Sequence, residues 1–195
     1  KTYNSIFVIL GVIIIGFGIS LSVRAGLGTD PFTCFNMGLS KITGKSFGTC
    51  QLIINLILFI FPLIFSRKDI GLGTLANMVL VGYTADFFKF LYSFLPEKSL
   101  VESFLLMVIG LFVTAYGVAM YMEGNQGVAP YDSLGVIAAN KLKKDYGVVR
   151  MIQDIICVVI GFFLGGTVGI ATVLTALLMG YIITYYRKKI HAKFF

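Results

Sequence analysis

Gly26-Leu27-Gly28-Thr29-Asp30-Pro31-Phe32 returns in altered form as Gly127-Val128-Ala129-Pro130-Tyr131-Asp132, with Pro31 and Pro130 standing 99 positions apart. The same offset pairs Gly18 with Gly117, Gly28 with Gly127, Phe32 with Tyr131, Lys45 with Lys144 and Gly48 with Gly147. After a one-residue slip, Thr74 aligns with Thr172, Gly82 with Gly180 and Tyr83 with Tyr181. A chain with only four prolines does not set two of them in register with so many glycines by chance. The sequence therefore reads as an internal duplication, with one repeat over 1–95 and the other over 99–195.

Of the 195 residues, 57% are hydrophobic and 13% charged, where a soluble domain carries about 25% charge. Mean hydropathy is +0.91. This composition excludes an ordinary soluble domain and makes the lipid bilayer the first partner. The net charge of +7 would suggest nucleic acid in a soluble chain. Here the cations sit in short loops and a basic tail, where they set membrane orientation, and no nucleic-acid partner is expected. The first apolar run continues past signal-peptide length with no small-residue exit, so it reads as a span. Cys34, Cys50 and Cys157 are isolated in apolar runs. They read as small hydrophobes, with neither a disulfide nor a metal role.

The expected fold is all-α: a polytopic transmembrane bundle of two duplicated halves, each with three full spans and one short helix begun by proline. Full spans are expected at 4–23, 47–65 and 71–91, then at 101–122, 147–164 and 167–186, followed by a basic tail over 187–193. The short helices fall at 31–43 and 130–143, each about 20 Å long. Proline suits their first position, and Asp30 suits an N-cap. Thr33, Asn36 and Ser40 in one, and Asp132, Ser133 and Asn140 in the other, place these helices inside the bundle rather than against lipid. Gly28 and Gly127 are expected to tolerate no side chain, whereas Gly161, a packing position in a span, is expected to accept Ala.

Two topologies are open. Short helices that cross give parallel halves and a Lys/Arg split of 13 to 3, with the loop near Arg67 opposite Lys143. Short helices that dip and return give inverted halves and a split of 11 to 5. The wider split favours parallel halves, and both put the C-terminus in the cytoplasm.

The Ala25–Phe32 turn, the MGLSKITG end of the first short helix, the GTCQ opening of the next span and the later GLGTLANMVLVGYTADFF together resemble the YczE/YyaS/YitT group of bacterial membrane proteins. The likeness covers nearly the whole chain and is nearer the YczE branch, since no soluble C-terminal domain follows. The second copy of the turn departs from the pattern by lacking its first glycine. The resemblance implies a bacterial cytoplasmic-membrane protein and brings no catalytic motif.

No enzyme constellation is present: the single histidine, His191, sits in the basic tail, and zinc-protease, nucleophile-elbow and P-loop patterns are missing. No cofactor is expected. The informative residues are ionisable or polar groups at membrane depth. Arg24, Gly28, Thr33, Asn36, Glu123, Gly127, Asp132, Ser133 and Arg150 are the candidates for solute binding. Asp154, with Asn55 in its place in the first half, and Asp86 are the candidates for ion coupling. Arg150 and Asp154, four apart, also suit a structural pair on one helix face, and Arg24 and Glu123 suit interfacial positions. The expected function is a small-solute transporter with its site between the halves. Alternatives are the substrate-binding subunit of an ATPase-driven transporter, or a non-transporting regulator or assembly factor. A homo-oligomer or a partner protein is compatible with each.

Overall fold

The computed structural model describes residues 2–144 and 146–194 as eight α-helices. They are α1 Thr2–Ala25, α2 Pro31–Thr43, α3 Phe47–Phe65, α4 Leu72–Tyr92, α5 Leu100–Glu123, α6 Pro130–Leu142, α7 Tyr146–Phe163 and α8 Ile170–Phe194. A single 3₁₀ turn, Arg67–Asp69, joins α3 to α4. Lys1, one of the cations counted above, lies outside the described residues. Local chemistry sets the boundaries. Asp30 Oδ1 accepts the Thr33 N–H at 3.0 Å and caps α2, which ends on Gly44 at φ 67°. Ser46 caps α3. Ser99 and Glu102 exchange backbone and side-chain bonds to start α5.

Among the described residues, five helices are long and apolar enough to cross a membrane: α1, α3, α5, α7 and α8. α4 is less apolar but lies along α1. Phe17 packs edge-on to Phe88 with ring centroids 4.8 Å apart, and Arg24 reaches the Tyr92 carbonyl. Large aliphatic and aromatic side chains face outward along α3, α7 and α8, as expected of surfaces that meet lipid.

α1 and α5 form the centre, and small residues bring their backbones together. A Cβ on Gly11 would come 2.7 Å from Tyr121 N, and one on Gly110 would come 2.6 Å from Ser22 Oγ. Residue numbers rise along α1 as they fall along α5, so the two helices are antiparallel. By the same reading α4 runs with α1. α8 runs with α5, since Ala171 clusters with Met107 near one end and Arg187 holds Glu123 at the other. α3 opposes α4, with Gly48 N donating to Asp86 Oδ2 at 2.6 Å.

Antiparallel α1 and α5 require an even number of crossings in between, supplied by α3 and α4 without α2, which overturns the parallel arrangement favoured by the charge count. The same geometry corrects the expected separation of the Arg67 loop from Lys143. Lys141 Nζ lies 3.3 Å from the Phe65 ring centroid, so both loops share a face. The physical reason is that α2 and α6 are 13 residues each, too short to cross unaided. Both topologies gave a charge excess of the same sign, so the count discriminated weakly.

Two further expectations change. α8 does not end at 186 but continues through the basic stretch. Ile190 is 4% exposed against Phe7, Ala119 and Met120, and Arg187 and His191 both engage Glu123. Gly161 is no permissive site either: a Cβ there would stand 2.8 Å from Phe35 N, because α2 and α7 touch backbone to backbone.

The two Gly-rich turns are held alike. Gly28 has φ +103° and Gly127 φ +105°, both in the left-handed region that favours glycine. A Cβ on Gly28 would lie 2.6 Å from Gly169 N; one on Gly127 would lie 2.6 Å from Gly71 N. Ala171 N donates to the Leu27 carbonyl at 2.9 Å, and Gly73 N to the Gln126 carbonyl at 2.6 Å. Each turn is thus tied to the start of a long helix distant in sequence, α8 for the first turn and α4 for the second.

Candidate functional site

Because α2 packs along α7 and α6 along α3, the two proline-started helices bring their N-terminal turns face to face. Phe32 stacks on Tyr131 with ring centroids 4.4 Å apart and planes inclined by 27°. The Tyr131 hydroxyl donates to Asp154 Oδ1 at 2.7 Å, with Cys157 Sγ 3.4 Å away. Gln153 Nε2 donates to the Tyr131 carbonyl at 2.8 Å, locking the residue from its other side. Arg150 sits at the centre of this group. Its Nη1 pairs with Asp132, its Nε lies 3.2 Å from Asp154 Oδ1, and its guanidinium stands 4.5 Å from the Tyr131 ring centroid. One cation therefore binds two carboxylates and an aromatic face. A guanidinium in a fixed fork is suited to this, and an ammonium is not. In an apolar surround such a group can exchange an internal carboxylate for a carboxylate of a solute, or release Asp154 for a cation.

The corresponding region on α2 and α3 is uncharged. Asn36, Gln51 and Asn55 are 0%, 4% and 1% exposed. Asn36 Nδ2 donates to the Phe32 carbonyl at 2.8 Å. Asn36 Oδ1, Gln51 Oε1 and Asn55 Nδ2 have no hydrogen-bond partner among the described residues, and neither has Thr29 Oγ1. A polar atom buried without a partner costs about 1–3 kcal/mol. Such atoms mark places that take water or ligand.

The model for a family of unknown function, DUF6198, matches residues 2–188. The chain belongs to that family. It is 32% identical over 181 residues to the uncharacterized membrane protein YczE of Bacillus subtilis, an overlap of 92% of this chain and 83% of the relative. YyaS of the same organism, an uncharacterized protein, is 31% identical over 88% of this chain and 86% of its own. An uncharacterized protein of Haemophilus influenzae is 30% identical over 94% and 84% of the two chains. No solved structure matches. The resemblance carried by the Gly-rich turn and the segments after it thus holds, and this DUF6198 chain is a multi-pass membrane protein of YczE-like type.

Not every residue singled out from sequence reaches the junction. Asp132, Arg150 and Asp154 do, and Gly28 and Gly127 shape the turns that lead into it. Thr33 and Ser133 are buried at 2% and 3% in the first turns of α2 and α6. Asn36 and Asn55 belong to the amide group. Arg24 does not reach it: it donates to the carbonyls of Tyr92 at 2.6 Å and Pro96 at 3.0 Å, tying the end of α1 to the α4–α5 turn. Glu123 pairs with Arg187 at 2.8 Å. Antiparallel α1 and α5 put Arg24 and Glu123 at opposite ends of the bundle, so they share no site. Asp86 accepts from Gly48 N and stands 3.7 Å from Lys89, a joint between α3 and α4. Tyr131 was missed as a partner of Asp154. The 99-residue offset that aligns it with Phe32 was the available signal, since the two residues stack on one another.

Proposed function

We propose that this DUF6198 chain is a carrier for a small polar or charged solute rather than an enzyme. In this reading it is built as an inverted repeat, its site lies where the N-termini of α2 and α6 meet, and its N- and C-terminal ends are cytoplasmic. The observation that carries the reading is the meeting itself. Two half-length helices meet by their first turns, with Phe32 stacked on Tyr131, beside the cluster of Tyr131, Asp132, Arg150 and Asp154. Discontinuous helices placed in this way serve solute sites in inverted-repeat transporters. The mirrored attachments of Gly28 to Gly169 and of Gly127 to Gly71 support the repeat. The split of 11 to 5 in Lys and Arg supports cytoplasmic ends.

Within this reading Arg150 anchors an anionic group of the solute, and Asp154 carries the charge that couples solute to ion movement. Asp154→Asn keeps size and a hydrogen bond for Tyr131 but removes ionisation. It is expected to leave the folded fraction in detergent unchanged. In liposomes loaded with a soluble bacterial extract, counterflow by the purified protein should lose its dependence on the imposed pH or sodium gradient. Wild-type gradient dependence in the variant would overturn the role of Asp154. Counterflow absent from the wild-type chain for every fraction of the extract would overturn the carrier reading.

A further inference from the structure

The basic stretch that continues α8 past residue 186 shapes a second place, outside the Arg150 cluster. With Glu123 at the end of α5 it borders an open groove of about 470 Å³, lined also by Thr184, Arg187, Lys188, His191 and Ala192. That volume is within the range of about 300–1,000 Å³ usual for small-molecule sites. Thr184, Lys188 and His191 fall on one stripe of α8, because residues three or four apart share a helix face. Toward the middle of the helix the same stripe passes Tyr181 and Leu177, 79% and 63% exposed. From Leu177 to Lys188 the helix rises about 16 Å, roughly half the hydrocarbon core of a bilayer.

The charges in this groove do not cancel. Glu123 is its single carboxylate, with a side chain 8% exposed, and both oxygens are taken: Arg187 Nε stands 2.8 Å from Oε1 and His191 Nδ1 2.8 Å from Oε2. Lys188 is exposed and makes no ion pair among the described residues. The Arg187 guanidinium has donors beyond the one given to Glu123. With His191 neutral, two cations stand against one carboxylate, so the groove carries a net positive charge. The C-terminal carbonyls of α8 disfavour an anion, so side chains rather than backbone must hold one. A soluble anion would use this end of the groove alone. The exposed apolar stripe that runs on from it suits a ligand with an anionic head and a hydrocarbon tail.

We propose that the Arg187–Lys188 groove binds the phosphate headgroup of an anionic phospholipid, with one acyl chain lying along Tyr181 and Leu177. Lys188 supplies the uncompensated charge, Arg187 gives its remaining donors to the phosphate oxygens, and Thr184 stands where head gives way to chain. The lipid braces the end of α8 on α5, where Arg187 and His191 already hold Glu123 and Ile190 packs on Phe7, Ala119 and Met120. The site goes beyond the carrier reading and does not depend on it.

The test is thermal unfolding of the purified full chain in a neutral detergent, with phosphatidylglycerol, phosphatidylcholine of the same acyl chains, or glycerol phosphate added. The wild type should show a saturable rise in midpoint with phosphatidylglycerol and none with the other two. Lys188→Gln should leave the lipid-free midpoint unchanged. It should raise the phosphatidylglycerol concentration for half-saturation about fivefold, the weight of one cation at a charged membrane surface. Lys188→Arg should stay near the wild-type value, and Tyr181→Ser should raise it by removing chain contact. Lys189→Gln removes the same charge from another face of α8, where Lys189 Nζ lies 4.7 Å from the Tyr185 ring centroid. It should shift half-saturation by less than about twofold, being outside the groove. An equal response to phosphatidylcholine, or unchanged half-saturation in Lys188→Gln, would overturn the site. Equal shifts in Lys188→Gln and Lys189→Gln would show a diffuse attraction and overturn it too. A rise with glycerol phosphate as large as with the lipid would overturn the phospholipid in favour of a soluble anion.

Discussion

Gly127→Val is expected to remove most folded protein from detergent extracts. Two costs add. A β-branched residue at φ +105° is strained by about 1–2 kcal/mol. Its Cβ would also stand 2.5 Å from Thr74 Oγ1 and 2.6 Å from Gly71 N, and because one neighbour is backbone, the α4 start must move. Overpacking of that kind costs about 1–3 kcal/mol more. Gly28→Val, facing Gly169 N and Thr172 Oγ1, should behave the same way. Gly180→Val, with nothing within 4 Å of the added carbon, should change the unfolding midpoint little. Gly127→Val protein as monodisperse and as thermally stable as Gly180→Val would show that the turns are not held as described.

Arg150→Ala is expected to have the second large effect. It leaves Asp132 and Asp154 with no countercharge, and since their side chains are 38% and 23% exposed the cost lies below the about 3–5 kcal/mol of breaking a fully buried pair. Arg150→Lys should be nearly as damaging, because a point charge cannot satisfy two carboxylates and an aromatic face together. Adding Asp132→Asn and Asp154→Asn to Arg150→Ala should return much of the lost midpoint while counterflow stays absent. An Arg150→Ala protein with wild-type stability and transport would remove the cluster from the account.

Much of the scaffold was legible from single residues. Pro31 and Asp30 placed the start of α2, the GTCQ opening marked the start of α3, and the apolar runs gave the long helices to within two residues except α8, expected at 167–186 and found at 170–194. What the sequence left open was direction. A 13-residue helix with polar residues says that it is buried in protein, not whether it crosses, and loop cations tolerated both answers. Contacts between Gly11 and Tyr121 and between Gly110 and Ser22 decided the matter, and no local pattern encodes such distant pairs. The site was half legible. Arg150 and Asp154 stand one turn apart on α7 and were visible as a pair. Asp132 joined them only because α6 packs against α7. Tyr131 came into place through its stack on Phe32. Arg24 and Glu123 misled because opposite charges at aligned positions look complementary, yet antiparallel α1 and α5 carry them to opposite ends of the bundle.

The central claim is that the α2–α6 junction is reached alternately from the two sides of the membrane. Ser133, 3% exposed in the first turn of α6, reports on this most directly. With Cys34, Cys50 and Cys157 replaced by Ala, Ser133→Cys can be challenged with a membrane-impermeant thiol reagent in right-side-out and in inside-out vesicles. A carrier predicts modification from both sides, at rates that change in opposite directions when a saturating solute fraction is added. Modification from neither side, or from one side only under every condition, would contradict the account.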